Sequence, residues 1–329
     1  MKHIFFLISP YIVQFFTTFV HFKNHDLIME MITQFEQMAA QLRQRPQRSR
    51  IAAVCPDDNH SQQALLQALR QNVADVVMIG RTSLYQAIAR EFPDRVRCIE
   101  AADPVQAATE AVAAVRRGEA DLLFKGLIAS DDLLRAILHK PDGLLPAGQV
   151  LTHIAVAQLP DRERLLLLSD VAVIPYPNLA QRQAQVGYLA DACRRLGIST
   201  PRIAMLHCTE KVSDKFPLTL DYQTLKQQAA QGQWGDILID GPMDLTTACQ
   251  PQAGKIKHID SAIGGEADAL LMPDIEAGNI LYKALSLFGG ARVAGILQGA
   301  SCPVVLTSRG DSTEAKFNSL AFAALMAAH

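Results

Sequence analysis

The chain has 329 residues, 49% of them hydrophobic and 19% charged, which is enough apolar content for two domains with a sizeable core and excludes a disordered chain. A formal net charge of -2 excludes the basic footprint of a nucleic-acid or anionic-membrane binder, so an anionic ligand has to be held locally. The six cysteines, Cys55, Cys98, Cys193, Cys208, Cys249 and Cys302, show no CxxC spacing, which argues against a zinc site or disulfide framework and for a reducing cytoplasm.

The first residues differ from the rest. Six of the 13 Phe lie between Phe5 and Phe22, in an apolar stretch interrupted by Ser9, Pro10, Gln14, Thr17 and Thr18. Residues 1–29 are an atypical extension. With a weak basic start (Lys2, His3) and no clear small-residue cleavage site, they read less well as a signal peptide or anchor than as an over-long reading frame whose natural start is Met29 or Met31.

From Met31 the apolar positions Ile32, Phe35, Met38, Ala39 and Leu42 predict a helix to Arg43, and a first strand runs from Ile51 to Cys55. Helices and strands then alternate: helix Ser61 to Gln71, strand Val73 to Ile79, helix Ser83 to Arg90, strand Val96 to Ile99, helix Val105 to Arg116, strand Asp121 to Phe124. Continuous apolar strands separated by helices indicate a parallel sheet covered on both faces, with ligands beyond the carboxyl ends of its strands. Lys125 and Gly126 stand at such an exit, and Asp132 and Arg135 lie one turn apart on the helix that follows. A solvated Lys125 and a simple ion pair for Arg135 are the bland readings.

A second alternating block follows. Leu165 to Leu168 and Val171 to Ile174 read as strands, Leu179 to Leu196 as a helix, Arg202 to Leu206 as a strand, Thr224 to Ala230 as a helix, and Asp236 to Ile239 and Ala269 to Met272 as strands. Gly241 to Gly265 is a long connection of the sort that is often functional. Asn279 to Phe288 is helical and Val293 to Ile296 returns to strand.

The last unit is a strand, Val304 to Leu306, a polar turn, and a helix whose apolar positions are Phe317, Leu320, Ala321, Ala324 and Leu325. Asp311 and Glu314 have the spacing of an N-cap and its reciprocal partner. A helix N-terminus beside the planar fork of Arg309 suits phosphate, and an ordinary capped turn with a solvated Arg309 is the bland reading.

Pro273-Asp274-Ile275-Glu276-Ala277-Gly278-Asn279-Ile280-Leu281-Tyr282-Lys283, then Gln298-Gly299, Pro303 and Thr307-Ser308-Arg309-Gly310, together resemble the phosphate acetyltransferase and phosphate butyryltransferase family. The similarity extends upstream through Lys125-Gly126-Leu127-Ile128, Ser169-Asp170 and Asp240-Gly241-Pro242, over roughly residues 30 to 329. The resemblance implies reversible transfer of a short-chain acyl group between coenzyme A and inorganic phosphate, with no bound cofactor and no metal. It implies two α/β domains with mainly parallel sheets, like those of isocitrate and isopropylmalate dehydrogenases, and an active-site cleft between them. Domain I would be residues 30–158 with 291–329, domain II residues 159–290. A cytoplasmic homodimer is the corresponding expectation, without nucleic-acid partners and without a membrane for the core.

In the resemblance Ser308 and Arg309 match the family's transition-state and substrate-binding pair, and Arg135 matches a substrate-binding arginine. Lys125, Arg135 and Arg309 would offset the desolvation of a phosphate carrying about two charges. Gly126, Gln298, Thr307 and Gly310 belong to the same motifs, and the Ser308 hydroxyl and backbone N–H groups near Gly310 are candidate oxyanion donors. Asn279 and Lys283 share a helix face at i, i+4 and are candidates to contact phosphate or the pantetheine arm, with Asp274 a candidate orienting carboxylate for Lys283; a cap by Asn279 after Gly278 is the bland reading.

One departure stands out. Acetyltransferase members carry a catalytic Asp seven residues after this Ser, where this chain has Ala315, which leaves Glu314, Asp311 or the field of Arg309 and Lys125 to assist loss of the thiol proton. The wording of the last motif and the Lys125 segment favour the butyryl-type branch. The alternatives are a dehydrogenase of the same fold and an exported small-molecule binding protein without turnover.

Overall fold

A computed structural model describes residues 30–327, and from Ile32 onward the chain forms one compact unit. The readings of the first 29 residues lie outside the described residues.

The chain opens with α1 (Phe35–Arg43), which buries Phe35, Met38, Ala39 and Leu42. Then come β1 (Ser49–Val54), α2 (Asn59–Arg70), β2 (Ala74–Gly80), a short 3-10 turn (Thr82–Leu84), α3 (Gln86–Glu91), β3 (Val96–Glu100), α4 (Pro104–Arg116), β4 (Leu122–Lys125) and α5 (Ser130–Ile137). Two of these helices have side-chain caps: the Asp58 carboxylate accepts the Ser61 N–H, and Asp103, followed by Pro104, accepts that of Gln106.

The next strands depart from expectation. β5 (Thr152–Gln158) has no forecast; its Thr-His-Ile-Ala-Val-Ala-Gln sequence is buried but poor in large β-formers. β6 (Leu166–Ser169) forms, whereas the strand expected at Val171 to Ile174 does not. There the buried Asp170 carboxylate accepts the N–H groups of Ala172, Val173 and Ile174, so the donors a ladder would use are already engaged. The same carboxylate accepts the His153 N–H at 3.1 Å and the Thr152 hydroxyl at 2.8 Å, tying the end of β6 to the start of β5.

The remainder is α6 (Leu179–Arg195), β7 (Arg202–Leu206), α7 (Leu218–Ala230), β8 (Leu238–Met243), α8 (Leu245–Cys249), α9 (Pro251–Ile256), β9 (Ala269–Leu271), α10 (Ile275–Leu287), β10 (Arg292–Gln298), β11 (Val304–Val305) and α11 (Thr313–Met326). The long connection thus contains two short helices. α10 starts earlier than expected because Asp274 is its N-cap, accepting the Ala277 N–H at 2.8 Å. The carboxylate is therefore engaged by its own helix rather than by Lys283, and Asn279 lies inside the helix.

α11 is capped by Ser312, whose hydroxyl accepts the Ala315 N–H at 3.1 Å, and not by the expected Asp311 and Glu314 pair. Every residue from Lys316 to Met326 is buried. An amphipathic stripe was the sequence expectation; instead the helix is enclosed, packing on α1, α2 and β10.

The eleven strands among the described residues join one sheet in the order β3-β2-β1-β4-β11-β10-β5-β6-β9-β7-β8. Both sides are parallel, but β10 is antiparallel to β11 and β5, and β5 to β6. On one face a single apolar cluster extends across the sheet, taking Phe124, Ile154, Ile203, Ile296 and α11. On the other face there are two clusters, one with Leu123, Leu297, α4 and α5, and one with Ala155, Leu168, Ala204 and α10. That division positions the candidate site.

Candidate active site

β4 and β11 are parallel neighbours, so their exits bring Lys125 beside the turn from Thr307 to Asp311. Strand alternation puts Lys125 on the same face as Leu123, the divided face. The side chain is only 3% exposed, and its Nζ is 3.4 Å from the carbonyl of Gly126. Burial, the charge of Lys316 and the charge of Arg309 lower its pKa, in that order, with Asp58 and Asp311 opposing.

Lys316, which follows Ala315 on the first turn of α11, belongs to none of the motifs above. It is 2% exposed, its Nζ donates to Thr307 Oγ1 at 3.1 Å and to the Ser308 carbonyl at 3.2 Å, and it lies 6.0 Å from the Phe124 ring centroid. Burial lowers its pKa while Asp58 and Asp311 raise it. Among the described residues no carboxylate is hydrogen-bonded to either ammonium. Two buried lysines without a hydrogen-bonded carboxylate, beside an exposed arginine, make a site suited to an anion. A lysine directly before the apolar run Phe317 to Leu325 was the available signal.

The turn is internally braced. The Ser308 N–H donates to Asp311 Oδ2 at 2.8 Å and the Asp311 N–H to the Ser308 carbonyl at 3.2 Å. The backbone N–H groups of Arg309 and Gly310 have no bonded partner among the described residues, and the side chains of Ser308 and Arg309 are exposed.

Across the divided face, Asp311 also acts on two groups that sequence reasoning passed over. Its charge raises the pKa of both His153 on β5 and Tyr282 on α10, whose ring centroids are 6.5 Å apart and edge-on. Burial pushes the Tyr282 phenol up to about 12.

Other expected positions are distributed more widely. Asn279 Nδ2 donates to the Val171 carbonyl at 2.9 Å, tying α10 to the Asp170 loop, and Lys283 is exposed on the same helix. Gln298 ends β10 with Oε1 buried and unpartnered. Gly126 allows close approach of two chains: a Cβ there would lie 2.2 Å from the Cys55 carbonyl oxygen. Arg135 is exposed and bonds Asp132 at 2.9 Å, beside a cavity of about 500 Å³ between α4 and α5. Glu314 points away from the turn, bonding Arg292 Nε at 2.6 Å.

The sequence profile described as phosphate acetyl/butaryl transferase matches residues 94–324. The chain belongs to this family.

Among its relatives, the phosphate butyryltransferase of Clostridium beijerinckii is 34% identical over 301 residues, covering 91% of this chain and 99% of that one. The phosphate acetyltransferase of Thermotoga maritima is 35% identical over 280 residues, 84% of this chain and 95% of that one. A solved branched-chain phosphotransacylase from Enterococcus faecalis superposes with a TM-score of 0.74 at 30% identity, covering 84% of this chain and 98% of the other. Neither the exported binding protein nor the dehydrogenase alternative gains support from these likenesses.

For this phosphate acetyl/butyryl transferase family member, one sizeable concavity lies away from where the chemistry gathers. It measures about 720 Å³ and takes Asp121, Cys302 and Pro303, at the amino ends of β4 and β11. The convergence of charged groups is at the carboxyl ends, where α/β sheets present ligands. Burial pushes the Cys302 thiol up to about 12, which makes it a poor nucleophile. No helix among the described residues is long and apolar enough to cross a membrane.

Proposed function

We infer that the chain transfers a short-chain acyl group reversibly between coenzyme A and inorganic phosphate, forming acyl phosphate, in a ternary complex without a covalent enzyme intermediate. The observation that carries the reading is the pair of buried lysines, Lys125 and Lys316, at the exits of β4 and β11 without a bonded carboxylate. Phosphate, or the phosphate end of an acyl phosphate, supplies the missing negative charge, and Arg309 closes over it with a bidentate fork.

The Ser308 hydroxyl and the N–H groups of Arg309 and Gly310 are the donors for the oxyanion of the tetrahedral intermediate. One such donor typically contributes about 3 kcal/mol to the barrier. The brace from Asp311 to the Ser308 N–H fixes the turn before substrate arrives, so reorganisation is small. Thr307 lines the same exit.

The cleft of the proposed two-domain arrangement is the seam between the two apolar clusters of the divided face. Residues 30–158 with 291–329 supply Lys125 and the 307–311 turn, and residues 159–290 supply α10 with Asn279 and Lys283. Arg135 and the adjacent cavity receive the nucleotide end of coenzyme A; an exposed ion pair such as Arg135 with Asp132 is worth at most about 1 kcal/mol and yields readily to a phosphate. A butyryl-type acyl group, a cytoplasmic location and a homodimer complete the reading.

The test is phosphate-dependent release of free thiol from acetyl-, butyryl- and 2-methylpropionyl-coenzyme A by the wild type and Arg309→Ala. Turnover that requires phosphate and drops at least a hundredfold in Arg309→Ala is expected. Thiol release independent of phosphate, or none with any of the three chains, overturns the reading.

A further inference from the structure

The seam of the divided face passes over β10, whose outward residues there are Val293, Gly295 and Leu297. Leu297 packs with the α4–α5 cluster and Val293 with the α10 cluster, so Gly295 is the gap between them. The imidazole of His153 fills that gap: a Cβ on Gly295 would lie 2.7 Å from its Cε1 and Nε2. The residue is 6% exposed, and its Nδ1 is buried with no hydrogen-bond partner. A buried ring nitrogen without a partner is costly unless a ligand completes it.

We propose that His153 takes the thiol proton of coenzyme A, as a catalytic residue at the floor of the cleft. The assignment rests on the acyl-transfer reading above. A thiol with an ordinary pKa of about 8.5 is mostly protonated at neutral pH, so acyl phosphate cannot be attacked efficiently without a base. The two carboxylates considered from sequence are engaged elsewhere, Glu314 by Arg292 and Asp311 by the Ser308 N–H.

The groups facing the imidazole are Asp170 from the end of β6, Asp311 from the turn before α11, and Tyr282 from α10. Burial lowers the imidazole pKa against the opposing charges of Asp170 and Asp311, which favours the neutral, proton-accepting ring. Asp170 also holds the His153 N–H, which fixes the backbone from which the ring projects.

In the step, the S–H bond breaks and its proton goes to Nδ1. The sulfur pair forms the C–S bond to the acyl carbon. The C–O bond to phosphate then breaks, its electron pair leaving on phosphate toward Lys125 and Lys316. In the reverse direction the imidazolium returns the proton to the departing thiolate as phosphate attacks.

His153→Gln and His153→Asn test this in the thioester-forming direction, with acyl phosphate and coenzyme A as substrates. The expected result is kcat down at least a hundredfold, KM for coenzyme A and acyl phosphate changed less than about threefold, and loss of the acidic limb of the kcat profile. A His153→Gln enzyme within threefold of wild type and with an unchanged limb overturns the assignment alone. A wild type without phosphate-dependent turnover overturns the acyl-transfer reading and this with it. A second measurement covers variants that do not fold: the nitrogen NMR shifts of His153 in the wild type at pH 7. A neutral ring whose shifts move with coenzyme A is expected; a protonated ring, or one unmoved at saturating coenzyme A, overturns the proposal.

Discussion

Lys316 Nζ stands 3.1 Å from Thr307 Oγ1 and 3.2 Å from the Ser308 carbonyl, so the first turn of α11 reaches back to hold the turn from which it springs. The cation is deep, and burial lowers its pKa below the ordinary 10.5. In the pH range just below that value the unfolded chain binds more protons than the native one, so stability rises with pH there and the cost of the cation is fully present at neutral pH. Lys316→Met is expected to melt no lower than wild type without phosphate. Phosphate at a hundred times its Kd should stabilise the wild type by about 2.7 kcal/mol and the variant far less. Scanning calorimetry with and without phosphate checks both; equal phosphate shifts in the two proteins would remove Lys316 from the anion site.

Phosphate affinity carries a related pH signature. Lys125 and Lys316 both have lowered pKa values, so binding is expected to weaken, as pH rises, before an ordinary lysine would begin to lose its proton. Isothermal titration across pH 7 to 10.5 decides it, and an affinity constant over that range contradicts the two-lysine cradle.

Two motif glycines should behave oppositely. Gly126→Ala drives a methyl into the Cys55 carbonyl at 2.2 Å, and is expected to cost about 2 kcal/mol or more in denaturant unfolding. At Gly310 a Cβ meets nothing within 4 Å, and the backbone is not in the left-handed region, so Gly310→Ala should leave stability within about 1 kcal/mol. Equal losses in the two variants would contradict the packing described.

Arg292 joins Glu36 at 2.7 Å and Glu314 at 2.6 Å, which makes Glu314 a strut between α1 and α11. Glu314→Gln is therefore expected to keep kcat within about twofold, as steady-state turnover will show. A loss of a hundredfold would restore Glu314 as the base.

Arg135→Ala should raise KM for acyl-coenzyme A while leaving kcat near wild type, the signature of uniform binding lost. A fall in kcat at unchanged KM would move Arg135 to the reacting centre.

The elements and the family were legible because they are written locally: apolar runs closed by glycine, Asp58 and Asp103 ahead of helices, and the ordered motifs around Lys125, Asn279 and Arg309. Even the turn at Ser308 and the exit at Lys125 could be placed at strand ends from the sequence. Other features depend on partners far along the chain. Val171 to Ile174 has the residues of a strand, but Asp170 captures its donors. Asp311 and Glu314 have the spacing of a cap, but Asp311 accepts the Ser308 N–H, Ser312 caps the helix, and Arg292, 22 residues away, takes Glu314. Lys316 and His153 carry no motif of their own. Burial depends on what packs overhead, and only the tertiary structure brings α11 over Phe124 and sets the His153 ring in the space that Gly295 leaves open. Periodicity and caps are short-range, and the sequence determined them; the protonation and orientation of the groups that meet in the cleft come from desolvation and long-range charge, which only the folded chain decides.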